Sequence, residues 1–198
     1  MTTTDLSQLT TSPATIKRWT VTDYHRMSEL GILRPHERTE LIAGQVLSMA
    51  AKGTPHVLSL RLLALFLDTQ FADQPYFVST QDPIQLDNSS EPEPDCAIVR
   101  GNALDYVASH PTPDDVLLVI EVADSTLKYD TEVKDKLYAQ SGIADYWVLD
   151  LQNRQFHIFR NRTPTGYTSG LILNEPNQIS PIAFPQINLN LTDLLPPF

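Results

Sequence analysis

The stretch Val116 to Val122 (VLLVIEV) is apolar throughout except for Glu121, and it constrains the fold more than any other part of the chain. A strand with one face in water alternates apolar and polar residues. An unbroken apolar run bounded by turn residues needs cover on both faces, as at the centre of an α/β sheet. Beyond it, Asp124-Ser125-Thr126 turns the chain, the pattern from Asp130 to Gln140 predicts a helix that Gly142 stops, and Tyr146 to Leu149 returns as a strand. A strand, helix and strand within about 35 residues form a parallel pair joined by a crossover.

Other segments supply the remaining layers. Thr20-x-x-Asp23 ahead of Tyr24, Met27, Leu30 and Ile32 predicts a capped helix ending near Gly31. Glu40 to Met49 (ELIAGQVLSM) reads as a hairpin turning at Ala43-Gly44. Thr54 as cap and Pro55 in the first turn open a long helix from His56 to Phe71, with Leu58, Leu62, Leu65 and Phe66 on the face laid against the sheet. Tyr76 to Leu86, split by Asp82-Pro83, predicts two short strands, and Pro94 to Val99 a third. Residues 101–115 read as a loop with a short helix, Arg154 to Arg160 as an antiparallel strand, and the tail from Asn174 as Pro-rich with short apolar pieces. At 198 residues the chain suits one domain, 18–198, behind a Thr- and Ser-rich flexible leader, 1–17.

With 41% hydrophobic and 19% charged residues the chain is too apolar to be disordered. It has no apolar run near the roughly 20 residues that span a bilayer. A polar N-terminus without a secretory pattern and a single cysteine, Cys96, fit the reducing cytoplasm. The net charge of −10, from 14 basic and 24 acidic residues, counts against extended sequence-independent binding of nucleic acid, but it says nothing about a local groove.

Glu121 is the anomaly in the apolar strand, because a buried carboxylate costs several kcal/mol unless a cation, a metal or donors surround it. Asp95, after Pro94, is a second carboxylate entering an apolar strand, and two such acids repel unless a divalent cation lies between them. On the helix that follows, Val133, Leu137 and Tyr138 form an apolar face that includes Lys134, whereas Lys136 falls on the solvent side. An inward lysine beside two buried acids suits phosphodiester hydrolysis. A divalent ion on Asp95, Glu121 and a carbonyl such as that of Val122 acidifies a water, the lysine positions it or stabilises the phosphate, and Asp130 holds the lysine in place. The competing reading of the same residues is a buried structural pair of Lys134 and Asp130 near Glu121.

These residues resemble the Uma-two family of restriction endonucleases within the PD-(D/E)XK nuclease superfamily. The resemblance runs through Glu40-Leu41-Ile42-x-Gly44, Thr54-Pro55-His56, Gln81-Asp82-Pro83, Glu93-Pro94-Asp95, Val119-Ile120-Glu121-Val122, Asp124-Ser125-Thr126, Tyr129-Asp130, Lys134, Tyr138-Ala139, Gly142-Ile143 and Tyr146-Trp147. It implies a central mixed β-sheet flanked by α-helices, with Asp95 and Glu121 as ligands of magnesium, manganese being a possible substitute. The lysine that the superfamily usually carries two residues after the second acid is replaced here by Ala123. The family's pattern places it at Lys134 instead. Glu40 is then a third carboxylate or a surface acid, His56 a site residue or a structural one, and Gln81, on a strand before Asp82-Pro83, a further candidate. Tyr146 and Trp147 are expected in the core. The implied partner is DNA, cut by a homodimer. The alternative is a nuclease-fold binding or regulatory module without turnover, motivated by the net charge and Ala123.

Overall fold

The computed structural model describes residues 15–34 and 36–197. Most of the expected leader, residues 1–14, lies outside them. The short helix α1, Val21–Glu29, begins at the expected capping box: Thr20 accepts from the Asp23 N–H, and the Asp23 carboxylate accepts from the Thr20 N–H. The hairpin β1, Thr39–Ile42, and β2, Gln45–Ser48, turns at Ala43 and Gly44, both at positive φ. That conformation matches the twist of a two-residue hairpin.

The long helix α2, Thr54–Phe71, starts one residue before the expected position, with Gly53 as N-cap and Thr54 inside the helix. Its buried face overlaps the expected one only in part: Phe66 packs against the core and Leu62 is half-buried. Leu60, Leu63, Leu67 and Phe71 are buried, while Leu58 and Leu65 are exposed. The helix is apolar around much of its circumference, so periodicity alone does not select the stripe that meets the sheet.

A six-stranded sheet forms the centre: β3, Tyr76–Ser79; β4, Cys96–Arg100; β5, Val116–Ala123; β6, Asp145–Asp150; β7, Gln155–Thr163; and β8, Gly166–Asn174, in that spatial order. The β5–β6 pair is parallel and its neighbours antiparallel, so the sheet is mixed, as the crossover required. β5 is covered on both faces. Leu118, Ile120 and Val122 pack with α2 and the C-terminal segment, whereas Val119 and Ala123 pack with Tyr138, Ile143, Tyr146 and Val148. Tyr146 and Trp147 are fully buried.

Two readings of the segments around the sheet need correction. No strand follows Asp82-Pro83. Ile84 and Leu86 bond through their N–H groups to Pro92 and Ser90 in a tight irregular loop, and prolines at 92 and 94 lack the N–H groups a ladder would need. The strand β8 was not expected at all, because Gly166–Asn174 is half exposed at the sheet edge and carries little apolar pattern.

The helical run after β5 begins earlier than expected, as α3, Leu127–Tyr129. It continues through a π turn, Asp130–Lys134, into α4, Asp135–Ser141, which ends at Gly142 with φ 108°. Lys134 and Tyr138 are buried as the helical face predicts, with Asp130 beside them, whereas Val133, expected on the inner face, is 42% exposed next to the wide turn. Among the described residues no helix is long and apolar enough to cross a membrane.

Candidate active site

The alternation of β5 sends Val119, Glu121 and Ala123 to the face covered by α4, and that places Glu121 beneath Lys134 and Tyr138. Glu121 Oε1 accepts from Lys134 Nζ at 2.9 Å and from the Tyr138 hydroxyl at 3.0 Å. The antiparallel register sets Cys96 across from Ile120, so Asp95, one step earlier, lies beside Glu121. Its N–H donates to Glu121 Oε2 at 3.3 Å.

Asp95 is the better-saturated acid. Its Oδ2 accepts from His56 Nε2 at 2.9 Å and from the Val122 N–H at 3.0 Å, and its Oδ1 accepts from Gln81 Nε2 at 3.0 Å. Lys52 Nζ stands 3.8 Å from the same Oδ1. Gln81 is not on a strand. It occupies a bend at φ 60°, held by its N–H to the carbonyls of Pro94 and Asp95, and this left-handed conformation turns its amide towards the acid.

Glu40, on β1, is buried and not a surface acid. Its Oε2 lies 3.4 Å from Lys134 Nζ and has no hydrogen-bond partner. Asp130 does not clamp the lysine as expected. Its carboxylate accepts from the Thr126 hydroxyl at 2.6 Å, and among the described residues the ion pairs of Lys134 are with Glu121 and Glu40. Asp130 still contributes electrostatically to Lys134, after Glu121 and Glu40.

Burial pushes the Glu121 carboxyl up to about 8 against the pull of Lys134, with Asp130 and Asp95 adding to the rise. Burial also raises Asp130. For Lys134 burial opposes the charge, but Glu121, Glu40 and Asp130 outweigh it and hold the ammonium above the ordinary lysine range. Burial alone would raise Asp95. The hydrogen bond from His56, its electrostatic pull and the Val122 N–H bring that carboxyl below its ordinary value. Lys52 is lowered, chiefly by burial. Four acids, Glu40, Asp95, Glu121 and Asp130, share the cluster with two lysines, Lys52 and Lys134, and with His56, so acids outnumber the permanent cations.

All of these groups except Gln81 and Tyr138 line one cleft of about 360 Å³, together with Val122, Asp124 and Tyr129. Its oxygen donors and excess of acids fit a hard divalent cation, and Glu40 Oε2, buried and without a hydrogen bond although 3.4 Å from Lys134 Nζ, is free to serve as a ligand. The carboxylates do not form a closed cage. Among the described residues no three ligand atoms from Glu40, Asp95, Glu121 and His56 gather within 4.8 Å of one another. An ion that keeps several waters and takes one or two carboxylates needs no such cage. Lys52 and the Tyr138 hydroxyl were not anticipated as site groups. A lysine in a polar loop carries no periodic signal, and a tyrosine on an apolar face reads as packing.

Residues 21–192 match the profile of a family described as "Uma2: Putative restriction endonuclease". Among solved structures, the chain is similar to one described as "a putative nuclease belonging to DUF820 from Anabaena variabilis", with a TM-score of 0.68 and 12% sequence identity. The similarity covers 88% of this chain and 96% of that one. At this identity the likeness speaks for the fold. A search of curated proteins finds no match.

Proposed function

The chain belongs to the Uma2 family, and from that membership we propose that it hydrolyses internal phosphodiester bonds of DNA at the cleft around Asp95, Glu121 and Lys134, with a divalent metal as cofactor. The observation that carries this reading is the buried contact of Lys134 with Glu121, one backbone hydrogen bond away from Asp95. Asp95, Glu121 and the Val122 carbonyl would hold magnesium, or manganese in its place. Such an ion supplies a water of lowered pKa and neutralises phosphate charge.

The side chains divide the remaining work. His56 and Gln81 orient the Asp95 carboxylate from two directions, as partners of a metal-binding acid commonly do. Glu121 and Glu40 fix Lys134 at 2.9 and 3.4 Å, so its ammonium can meet the phosphate oxygens where negative charge builds during attack. The lysine serves from a helix because only the position of its ammonium matters to that task. The protein would act in the cytoplasm as a homodimer, each copy cutting one strand of the duplex.

A second reading is a nuclease-fold module that binds without turnover. It is favoured by the hydrogen bonds that already engage both Asp95 oxygens, together with the net charge of −10. One experiment separates the two. Wild-type and Glu121→Ala protein are titrated with magnesium and manganese by calorimetry and incubated with supercoiled DNA. Metal binding lost in the variant, with metal-dependent nicking by wild type alone, supports the nuclease. Absence of metal binding in both proteins supports the binding module.

A further inference from the structure

We propose that His25, Glu91 and His110 form a second metal site, for a first-row transition ion such as zinc, separate from the carboxylate cleft. One ligand atom from each of the three residues lies within 4.8 Å of the other two. His25 stands on α1, Glu91 on the extended segment that bridges Leu41, and His110 within the loop before β5.

Two observations point to a ligand. Glu91 is only 2% exposed, yet its Oε2 has no hydrogen-bond partner, although Oε1 lies 2.7 Å from His25 Nε2. The two imidazoles meet edge to face at 6.1 Å, and their ring nitrogens converge with a carboxylate oxygen of Glu91 to within 4.8 Å of one another. A tetrahedral zinc ion with bonds of about 2.0–2.2 Å spaces its ligand atoms about 3.4 Å apart. The present grouping closes on such an ion by small movements of His25, which is exposed, and His110, which is half-buried. Two imidazoles and one carboxylate favour zinc, nickel or copper over magnesium or calcium, whose preferred ligands are oxygens.

The position gives the site a structural purpose. Glu91 exchanges backbone hydrogen bonds with Leu41 at 2.7 and 3.3 Å, and Leu41 is the neighbour of Glu40, which contacts Lys134. The His110 segment is tied to the same loop through the Gln85 N–H, which donates to the Pro111 carbonyl. An ion here clamps α1 and the loop before β5 onto the strand that carries Glu40, while leaving a coordination position to water.

The test uses the untagged full chain, stripped of metal and titrated with zinc by calorimetry, with cobalt as a spectroscopic probe of tetrahedral coordination. Expected are one zinc per chain, the visible absorption of tetrahedral cobalt, and an affinity at least about tenfold weaker in His25→Ala and in His110→Ala. Glu121→Gln should bind zinc at this site like wild type. No zinc binding by wild type overturns the proposal. So does binding that survives both histidine substitutions but is lost in Glu121→Gln, which would put the ion in the carboxylate cleft.

Discussion

Lys134 Nζ and Glu121 Oε1 are 2.9 Å apart in a place where both side chains are about 95% buried, so each is the other's main compensation for leaving water. Removing one partner of such a pair strands a buried charge and costs about 3–5 kcal/mol. Lys134→Met is expected to lose stability of that order in urea denaturation. Adding Glu121→Gln should show a favourable coupling of about 1–3 kcal/mol in the double-mutant cycle. Additive losses would mean that Glu40, and not Glu121, is the lysine's principal partner.

Asp95 accepts from His56, Gln81 and the Val122 N–H, and this arrangement fixes its carboxylate before any ligand arrives. Asp95→Asn keeps the shape but removes the charge, so magnesium binding and nicking of supercoiled DNA should both disappear. His56→Ala leaves the charge and loosens its orientation. Magnesium affinity should fall by about 10–100-fold while the acid remains functional at high metal. Nicking by Asp95→Asn at the wild-type rate would remove this acid from the site.

Sequence was most informative where one residue type had one physical use. Glu121 in an apolar strand demanded a partner, Gly142 stopped a helix, and Ala43-Gly44 turned a hairpin, and all three stand where the pattern put them. The orientation of Lys134 was also legible, although one reason given for it, an inward Val133, was wrong because a π turn is invisible to a 3.6-residue period. Asp130 and Lys134 are four residues apart, a spacing that suggests an ion pair on an α-helix, but Lys134 pairs with Glu121 and Glu40, and Asp130 accepts from Thr126. Lys52 and Gln81 reach Asp95 from loops, and loop groups are placed by tertiary contacts that leave no periodic trace.

The buried stripe of α2 can be checked directly. Leu63 is fully buried in the layer that includes Ile98, Leu118 and Ile120, whereas Leu65 is 65% exposed. Leu63→Ala should cost about 2–5 kcal/mol through lost burial and the cavity left behind. Leu65→Ala should stay within about 0.5 kcal/mol of wild type. Thermal or urea unfolding of the two variants decides the matter, and a larger loss at Leu65 would restore the face expected from periodicity.

Gly44 and Gly142 both hold positive φ, at 73° and 108°, but their surroundings differ. A Cβ on Gly142 would meet only Pro113 Cβ, at 3.9 Å, so Gly142→Ala carries the backbone penalty alone, about 1–2 kcal/mol. A Cβ on Gly44 would lie 2.7 Å from Arg18 Cβ and 3.1 Å from the Trp19 backbone N and O, where the chain before α1 crosses the hairpin. The Trp19 N–H also donates to the Gly44 carbonyl at 2.9 Å, so the crossing segment cannot retreat without losing that bond. Gly44→Ala should therefore cost more than Gly142→Ala in urea unfolding, by about 1 kcal/mol or more. Because the hairpin carries Glu40, its displacement should also weaken nicking, an effect that Gly142→Ala should not share. Equal losses of stability in the two variants would show that the Arg18–Trp19 crossing yields freely and does not fix the hairpin.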